Sequence, residues 1–155
     1  LYGASAPRIG SIVGGGAKEG QQLIQRFLSK LPALKYLKET IDAALKNRDY
    51  LVGLDGRHIP VRSAHSALNA LLQSAGAVIM KQATVDAYKN HRGEELDVMQ
   101  VAHIHDEIQY EAAEDDAVFA GELAVDAIQN AGKPFGFRCP LDGEFKVGAD
   151  WSETH

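Results

Sequence analysis

The sequence predicts an α+β fold in which helices are segregated from pairs of antiparallel strands. Two observations support this prediction. Several stretches repeat apolar residues at helical spacing, and the strand-like segments come in pairs joined by short turns rather than alternating singly with helices. The chain has 155 residues, of which 45% are hydrophobic and 24% are charged, as in ordinary folded domains. At this length a single domain buries about two thirds of the surface of its unfolded chain.

The first half of the chain predicts two consecutive helices. Residues 17–31 carry Leu23, Phe27 and Leu31 at helical spacing, and Pro32 stops that helix. Pro32 also suits the first turn of the next helix, because a residue at this position needs no amide hydrogen. The apolar stripe of that next helix is formed by Leu34, Leu37, Ile41 and Leu45.

Two further helices are predicted downstream. Ser63 or Ser66 can cap a long helix that runs to about Asn90, since serine hydroxyls accept hydrogen bonds from the first free amides. Its predicted core residues are Leu68, Leu71, Leu72, Val78 and Ile79. Asp115 or Asp116 can open the other helix, and Gly132 is its predicted stop. That helix carries the apolar residues Val118, Phe119, Leu123, Val125 and Ile128.

Strands are predicted in three places. Residues 50–52 and 58–61 flank Asp55-Gly56 and predict a short hairpin. Residues 98–111 predict a second hairpin. From Phe135 onward, apolar and polar residues alternate, which predicts strands again, with Trp151 packing the last of them onto the core.

The second predicted hairpin carries the most informative residues of the chain. Asp106 and Glu107 lie at its bend, where both side chains can project from the tip. Carboxylates at such a position suit a hard divalent cation, which takes oxygen ligands. The alternative is a solvated acidic turn, since acids are mostly exposed. Apolar residues on both sides argue against that alternative, namely Val101, Ile104, Ile108 and Tyr110.

A row of polar residues lies along one face of the long predicted helix. His65, Asn69 and Gln73 recur every four residues and therefore share one face, which Gly76 and Ala77 continue with small side chains. Amide side chains both donate and accept hydrogen bonds, and the DNA minor groove presents an acceptor on every base pair. This face can therefore contact a duplex without reading its sequence. A plain solvated helix face is the alternative.

Charge divides unevenly along the chain. Residues 1–92 hold 13 Lys and Arg against 6 Asp and Glu, whereas residues 93–155 hold 3 against 15, for a net charge of −5. A basic half can follow phosphates and an acidic half can hold cations, which indicates a nucleic-acid or metal partner. The single cysteine, Cys139, cannot form an internal disulfide and favours a reducing compartment. No apolar run approaches the roughly 20 residues that span a bilayer.

The hairpin sequence His105-Asp106-Glu107 resembles motif C of the family A (DNA polymerase I-like) polymerases. Three other segments resemble the same family in the same order, so that the resemblance covers essentially the whole chain. They are the end of motif B at Leu1-Tyr2-Gly3, the turn and palm helix at residues 54–57 and 61–77, and the C-terminal palm at residues 137–151. Agreement is best with the replicative polymerases of short-tailed phages.

This resemblance implies a right-hand polymerase fragment whose antiparallel palm sheet is flanked by a long helix and further helices. Residues 1–48 would be the end of the fingers helix and the helices that follow, and residues 49–155 the palm subdomain. The implied activity is DNA-directed DNA polymerisation, a nucleotidyl transfer in DNA replication that uses two Mg²⁺ ions. Asp106 would bind metal and Glu107 would be an accessory acid, both in the catalytic site. The other implied contacts are those of His105 with the primer terminus, of Asn69 and Gln73 with primer–template, and of Tyr2 with the nucleotide and templating base. His65, on the same helix face as Asn69 and Gln73, is a further candidate DNA contact.

The second metal-binding aspartate of the family, in motif A, is expected upstream of this chain. We therefore expect the chain to be the C-terminal part of a polymerase and to be inactive alone. Its expected partners are primer–template DNA, deoxynucleoside triphosphates and the N-terminal part of the enzyme, with no membrane. A processivity factor would bind outside this segment. The expected location is the cytoplasm, that of the host if a phage encodes the protein.

Two other functions compete with this interpretation. One is a non-catalytic nucleic-acid-binding module, in which Asp106 and Glu107 are surface acids. The other is a metal-dependent nuclease or hydrolase that uses His103, His105 and Asp106, since histidines two apart on a strand share a face.

Some residues give weaker indications. Gly14-Gly15-Gly16 before a helix could cradle a phosphate, although a flexible loop is favoured. Arg57 and Arg62 are candidate phosphate contacts. No partner is evident for the remaining histidines, which are His58, His91 and His155.

Overall fold

The computed structural model describes residues 4–154 and confirms an α+β fold. The chain forms two compact units that divide between Ala75 and Gly76. This division rests on compactness, so the predicted subdomain boundary between residues 48 and 49 stays a prediction. The elements are α1 (Ala6–Ile12), α2 (Ala17–Lys30), α3 (Pro32–Ala44), β1 (Tyr50–Val52), β2 (His58–Pro60), α4 (Ala64–Gly93), β3 (Val98–Ile104), β4 (Glu107–Ala112), α5 (Ala117–Asn130), a 3₁₀ turn (Lys133–Phe135) and α6 (Trp151–Thr154).

In the first unit, α1 and α2 form a tight helical pair that depends on two glycines. A Cβ atom added at Gly20 would lie 1.8 Å from the carbonyl oxygen of Ala6, and one at Gly10 would lie 1.9 Å from that of Gly16. Only glycine permits such close backbone approach. Leu23, Phe27 and Leu31, whose spacing predicted α2, are 38%, 46% and 43% exposed.

The core of the first unit lies between α3, the first hairpin and the start of α4. Ile41, Leu51 and Ala67 are its buried residues, and the predicted stripe of α3 packs around them through Leu37 and Leu45. Strands β1 and β2 pair antiparallel, which confirms the predicted first hairpin. Leu72 is 40% exposed rather than buried as predicted, whereas Leu68 and Leu71 pack against the core.

In the second unit, the rest of α4 contacts α5 through hydrogen bonds. Small buried residues occur on both helices, namely Ala83 and Ala87 on α4 and Ala120 and Ala127 on α5. The Asn90 side chain donates to the Leu123 carbonyl across 3.5 Å. Asp116 lies at the N-cap of α5 as predicted, but its carboxylate accepts from the Asp97 amide and makes no cap hydrogen bond to its own helix.

Strands β3 and β4 form the predicted second hairpin, with a bulge at Val101. Gln100 pairs with Tyr110 and Ala102 with Gln109, so one extra residue is inserted in β3. Within residues 4–154 the strands form two separate two-stranded sheets, β1–β2 and β3–β4, rather than one continuous palm sheet.

The strands predicted after Phe135 are wrong. Residues 136–150 have no regular strand, and Trp151 begins the one-turn helix α6. The alternation of apolar and polar residues reflects a segment that lies on α5 without strand pairing. A Cβ added at Gly121 would lie 2.2 Å from the Phe145 ring, and one at Gly143 would lie 2.9 Å from the Ile128 side chain. The segment therefore contacts α5 near Phe145 and Gly143, although Phe145 is 40% exposed.

None of the helices in the described part of the chain is both long enough and apolar enough to cross a membrane.

Candidate functional site

The tip of the β3–β4 hairpin is a two-residue connection formed by His105 and Asp106. Ile104 pairs with Glu107 directly across it. His105 has a φ of 58°, which lies in the left-handed region. This region is energetically unfavourable for residues that have a side chain. Histidine is one of the few residues enriched there. The chain therefore turns within two residues without glycine or proline.

The two acids of the hairpin have different environments. Asp106 is exposed at the turn, whereas Glu107 is half-buried as the first residue of β4. The Oε1 atom of Glu107 accepts a hydrogen bond from the Gln109 side-chain amide and another, of 3.1 Å, from the Trp151 indole. Glu107 is thus held by neighbours, while Asp106 is presented to solvent.

A cavity of about 490 Å³ lies beside the two acids, between β4, α5 and the segment that follows α5. Tyr110 and Phe145 contribute aromatic walls. The Tyr110 hydroxyl is buried and makes no hydrogen bond within the described residues, and burial raises the pKa of this tyrosine.

The apolar residues on either side of the hairpin tip are only partly buried. Ile108 and Tyr110 are half-buried, but Val101 is 57% and Ile104 41% exposed in this chain. Val101 is the bulged residue, which changes the direction of its side chain relative to the regular alternation.

Within residues 4–154, no group of three or more His, Cys, Asp and Glu side chains is placed to hold a metal ion. The predicted hydrolase set of His103, His105 and Asp106 is therefore not assembled as a three-ligand cluster. His105 lies in the turn rather than on the same strand as His103. The carboxylates of Asp106 and Glu107 do provide the oxygen donors that Mg²⁺ prefers, but as a partial set.

The predicted polar face of α4 is largely exposed. His65, Gln73, Gly76 and Ala77 are exposed, and Asn69 is half-buried. The Oδ1 atom of Asn69 is buried and has no hydrogen-bond partner among the described residues. The face is therefore open to a ligand at most of the predicted positions.

The candidate phosphate-binding residues differ in their partners. Arg57 is engaged by Asp55 of the same turn, with Nη2 2.6 Å from Oδ2 and Nε donating to both carboxylate oxygens. This contact lowers the pKa of Asp55 and raises the pKa of Arg57. A phosphate would have to compete with Asp55 for this cation, whereas Arg62 is simply exposed.

The glycine loop before α2 already has an acidic partner. The Gly16 amide donates to the Glu19 carboxylate across 2.8 Å, which lowers the pKa of Glu19. Since this carboxylate satisfies an amide that a phosphate would need, the structure favours the ordinary loop over the phosphate cradle.

Two of the histidines without an evident partner have one in the structure. His58 stacks on Tyr50 with ring centroids 4.0 Å apart. His91 is 3% exposed, lies within 2.9 Å of the Ala120 carbonyl through Nε2, and meets Tyr110 edge to face. The partner of His58 lies across the β1–β2 hairpin, and the Ala120 partner of His91 lies 29 positions away in the sequence. His155 and Tyr2 lie outside the described residues.

The partners of Glu107 were missed by the sequence reasoning. Gln109 could have been found, because residues two apart on a strand share a face. Trp151 is 44 residues away, and no local pattern links it to the hairpin.

Comparison with known proteins agrees with the resemblance seen in the sequence. Residues 1–153 match the model of DNA polymerase family A. The chain belongs to this family. It is 40% identical to the DNA-directed DNA polymerase of Enterobacteria phage T3 and 38% identical to that of Escherichia phage T7, with all of this chain aligned in both cases. It is 27% identical to the thermostable DNA polymerase I of Thermus aquaticus, with 97% of the chain aligned. The family assignment made from the four segments is thereby confirmed.

A solved structure shows the same fold. The POL domain of Pol1 from M. smegmatis, in complex with DNA primer-template and dNTP, superposes with a TM-score of 0.76 over 95% of this chain at 19% identity. The chain spans 25% of the length of the two phage relatives and 27% of that solved chain.

Proposed function

We propose that this chain is part of a DNA-directed DNA polymerase and carries one half of its metal-binding site. The observation that supports this most is the exposed Asp106 carboxylate at a hairpin tip, in a chain that belongs to DNA polymerase family A. The names of the phage relatives support the same activity.

The proposed reaction joins a nucleotide to a primer. The primer 3′-hydroxyl attacks the α-phosphate of a deoxynucleoside triphosphate, the bond to the β-phosphate breaks, and pyrophosphate leaves. Asp106 would hold Mg²⁺, which when bound stabilises negative charge on the attacking and leaving oxygens. Glu107 would support the site as an accessory acid, and His105 would lie beside the primer terminus.

Binding of primer–template is assigned to the polar face of α4. Gln73 and His65 are exposed on this face, and amide donors there can meet the acceptors of any base pair in the minor groove. Arg57 and Arg62 are proposed phosphate contacts, and Tyr2 a contact of the nucleotide and templating base. A cytoplasmic location stays a prediction.

We also propose that the isolated chain does not polymerise. Two ions must be bridged by carboxylates from two places, and the hairpin supplies acids from one.

Replacing Asp106 in the full-length polymerase that contains this chain tests the function. Asp106→Asn keeps the shape of the side chain and removes its charge. We expect the rate of primer extension to fall by about a thousandfold or more, because the variant loses a carboxylate that would hold the catalytic metal. A thousandfold loss corresponds to about 4 kcal/mol of transition-state stabilisation. The affinity for primer–template should stay within a few-fold of the original value. Glu111→Gln is the matched control, because Glu111 is an exposed acid on the same hairpin. Full extension by Asp106→Asn would instead favour a non-catalytic nucleic-acid-binding module.

A further inference from the structure

The Trp151 indole makes a contact with Glu107 that packing alone does not explain. Trp151 is the only tryptophan of the chain, and it is 50% exposed. A tryptophan whose role was to fill the core would be more deeply buried. Its Nε1 atom instead donates to the Glu107 Oε1 atom across 3.1 Å, linking residues 44 positions apart.

The segment around Trp151 is pre-formed by its own hydrogen bonds. The Asp150 carboxylate accepts from the amide and hydroxyl of Ser152, and these bonds lower the pKa of Asp150. The Glu153 carboxylate accepts from the Ala149 amide. Together they stabilise the turn of α6 that carries Trp151.

Glu107 receives a second donor from its own strand. The Gln109 side-chain amide and the Trp151 indole converge on the same oxygen, Oε1. Indole nitrogen can only donate, so this contact requires an acceptor, which the Glu107 carboxylate provides. Asp106, the adjacent residue, has no corresponding contact to α6 among the hydrogen bonds of the described residues.

We propose that Trp151 is a positioning residue of the polymerase site, which orients the Glu107 carboxylate beside Asp106 through its indole N–H. This inference rests on the proposed function of the hairpin. In this proposal Trp151 acts through Glu107 rather than by contact with substrate or metal. Its effect should therefore disappear when the Glu107 carboxylate is removed.

The first test is a spectroscopic one on this chain. Its single indole gives one Nε1–H resonance in a ¹H–¹⁵N spectrum. We expect this resonance to shift upfield, and its exchange with water to accelerate at least severalfold, in Glu107→Ala. Thr154→Val is the matched control, because it removes only a hydroxyl that donates to the Trp151 carbonyl. An indole resonance that is unchanged by Glu107→Ala would overturn the proposed contact.

The second test uses the full-length polymerase. Trp151→Phe keeps an aromatic ring and removes the donor. We expect kcat to fall about tenfold, as for the loss of one hydrogen bond to a charged group, while KM for the nucleotide and the melting temperature change little. In a Glu107→Ala background the same substitution should have no further effect, since two residues that act through one contact are not additive.

The outcomes separate this inference from the proposed function. Full activity of Asp106→Asn would refute the proposed function. If Asp106→Asn is inactive but Trp151→Phe keeps full activity, only the role of Trp151 is refuted. Equal effects of Trp151→Phe in the presence and absence of the Glu107 carboxylate would show a general structural role and would also overturn the inference.

Discussion

The left-handed backbone of His105 allows stability and function to be separated at one residue. A φ of 58° costs an L-residue about 1–2 kcal/mol. His105→Gly removes that cost but adds about 0.5–1 kcal/mol of backbone entropy to the unfolded state. The net change should therefore lie between zero and about 1.5 kcal/mol of stabilisation. His105→Val should destabilise the chain by about 1–2 kcal/mol, because a branched Cβ tolerates this conformation poorly.

These changes are measurable by thermal unfolding of the chain, followed by circular dichroism. For a protein of this size, 1 kcal/mol corresponds to about 2–4 °C, so the difference of about 1–3.5 kcal/mol between the Gly and Val variants should appear as roughly 2–14 °C. Primer extension by the full-length polymerase should fall in both variants, because neither retains the imidazole proposed to lie beside the primer terminus. A Val variant as stable as the Gly variant would refute the left-handed turn. Undiminished extension by the Gly variant would refute the primer contact.

Three further predictions concern the α4 face, the α1–α2 contact and Tyr110. Gln73→Ala in the full-length polymerase should weaken primer–template binding severalfold without lowering the melting temperature, whereas the control Gln25→Ala on α2 should leave this binding unchanged. The affinity for primer–template should also fall steeply with salt. A loss of stability with unchanged affinity would contradict this prediction. Gly20→Ala should lower the free energy of unfolding by about 1–3 kcal/mol or more, because the added Cβ would lie 1.8 Å from the Ala6 oxygen. Gly76→Ala is the control: its Cβ would meet nothing within 4 Å, so it should stabilise α4 by about 0.5–1 kcal/mol. Equal melting temperatures of the two variants would contradict this prediction. Burial raises the pKa of Tyr110, so the unfolded chain loses the phenolic proton at a lower pH than the folded chain does. The contribution of this group to stability is complete below pH about 10 and is lost as pH rises through the folded pKa. Tyr110→Phe should therefore flatten the alkaline loss of stability in urea titrations without losing a hydrogen bond, and an unchanged pH dependence would count against this prediction.

The local sequence determined most elements and the family. Periodic apolar residues predicted α2, α3, α4 and α5, because helix formation follows patterns within about ten residues. Both hairpins were predicted from strand-like segments on either side of short turns. The His-Asp-Glu run and three other segments in order identified the family, since a family resemblance depends on residue identities rather than on packing.

Only the tertiary structure decided which faces are buried and which side chains meet. The apolar stripe of α2 is exposed, and the alternation after Phe135 belongs to a segment that contacts α5 without forming strands. The contact between Trp151 and Glu107 joins residues 44 positions apart. Such contacts depend on how the chain returns on itself, and the periodicity of a helix or strand carries information only about neighbours within a few turns.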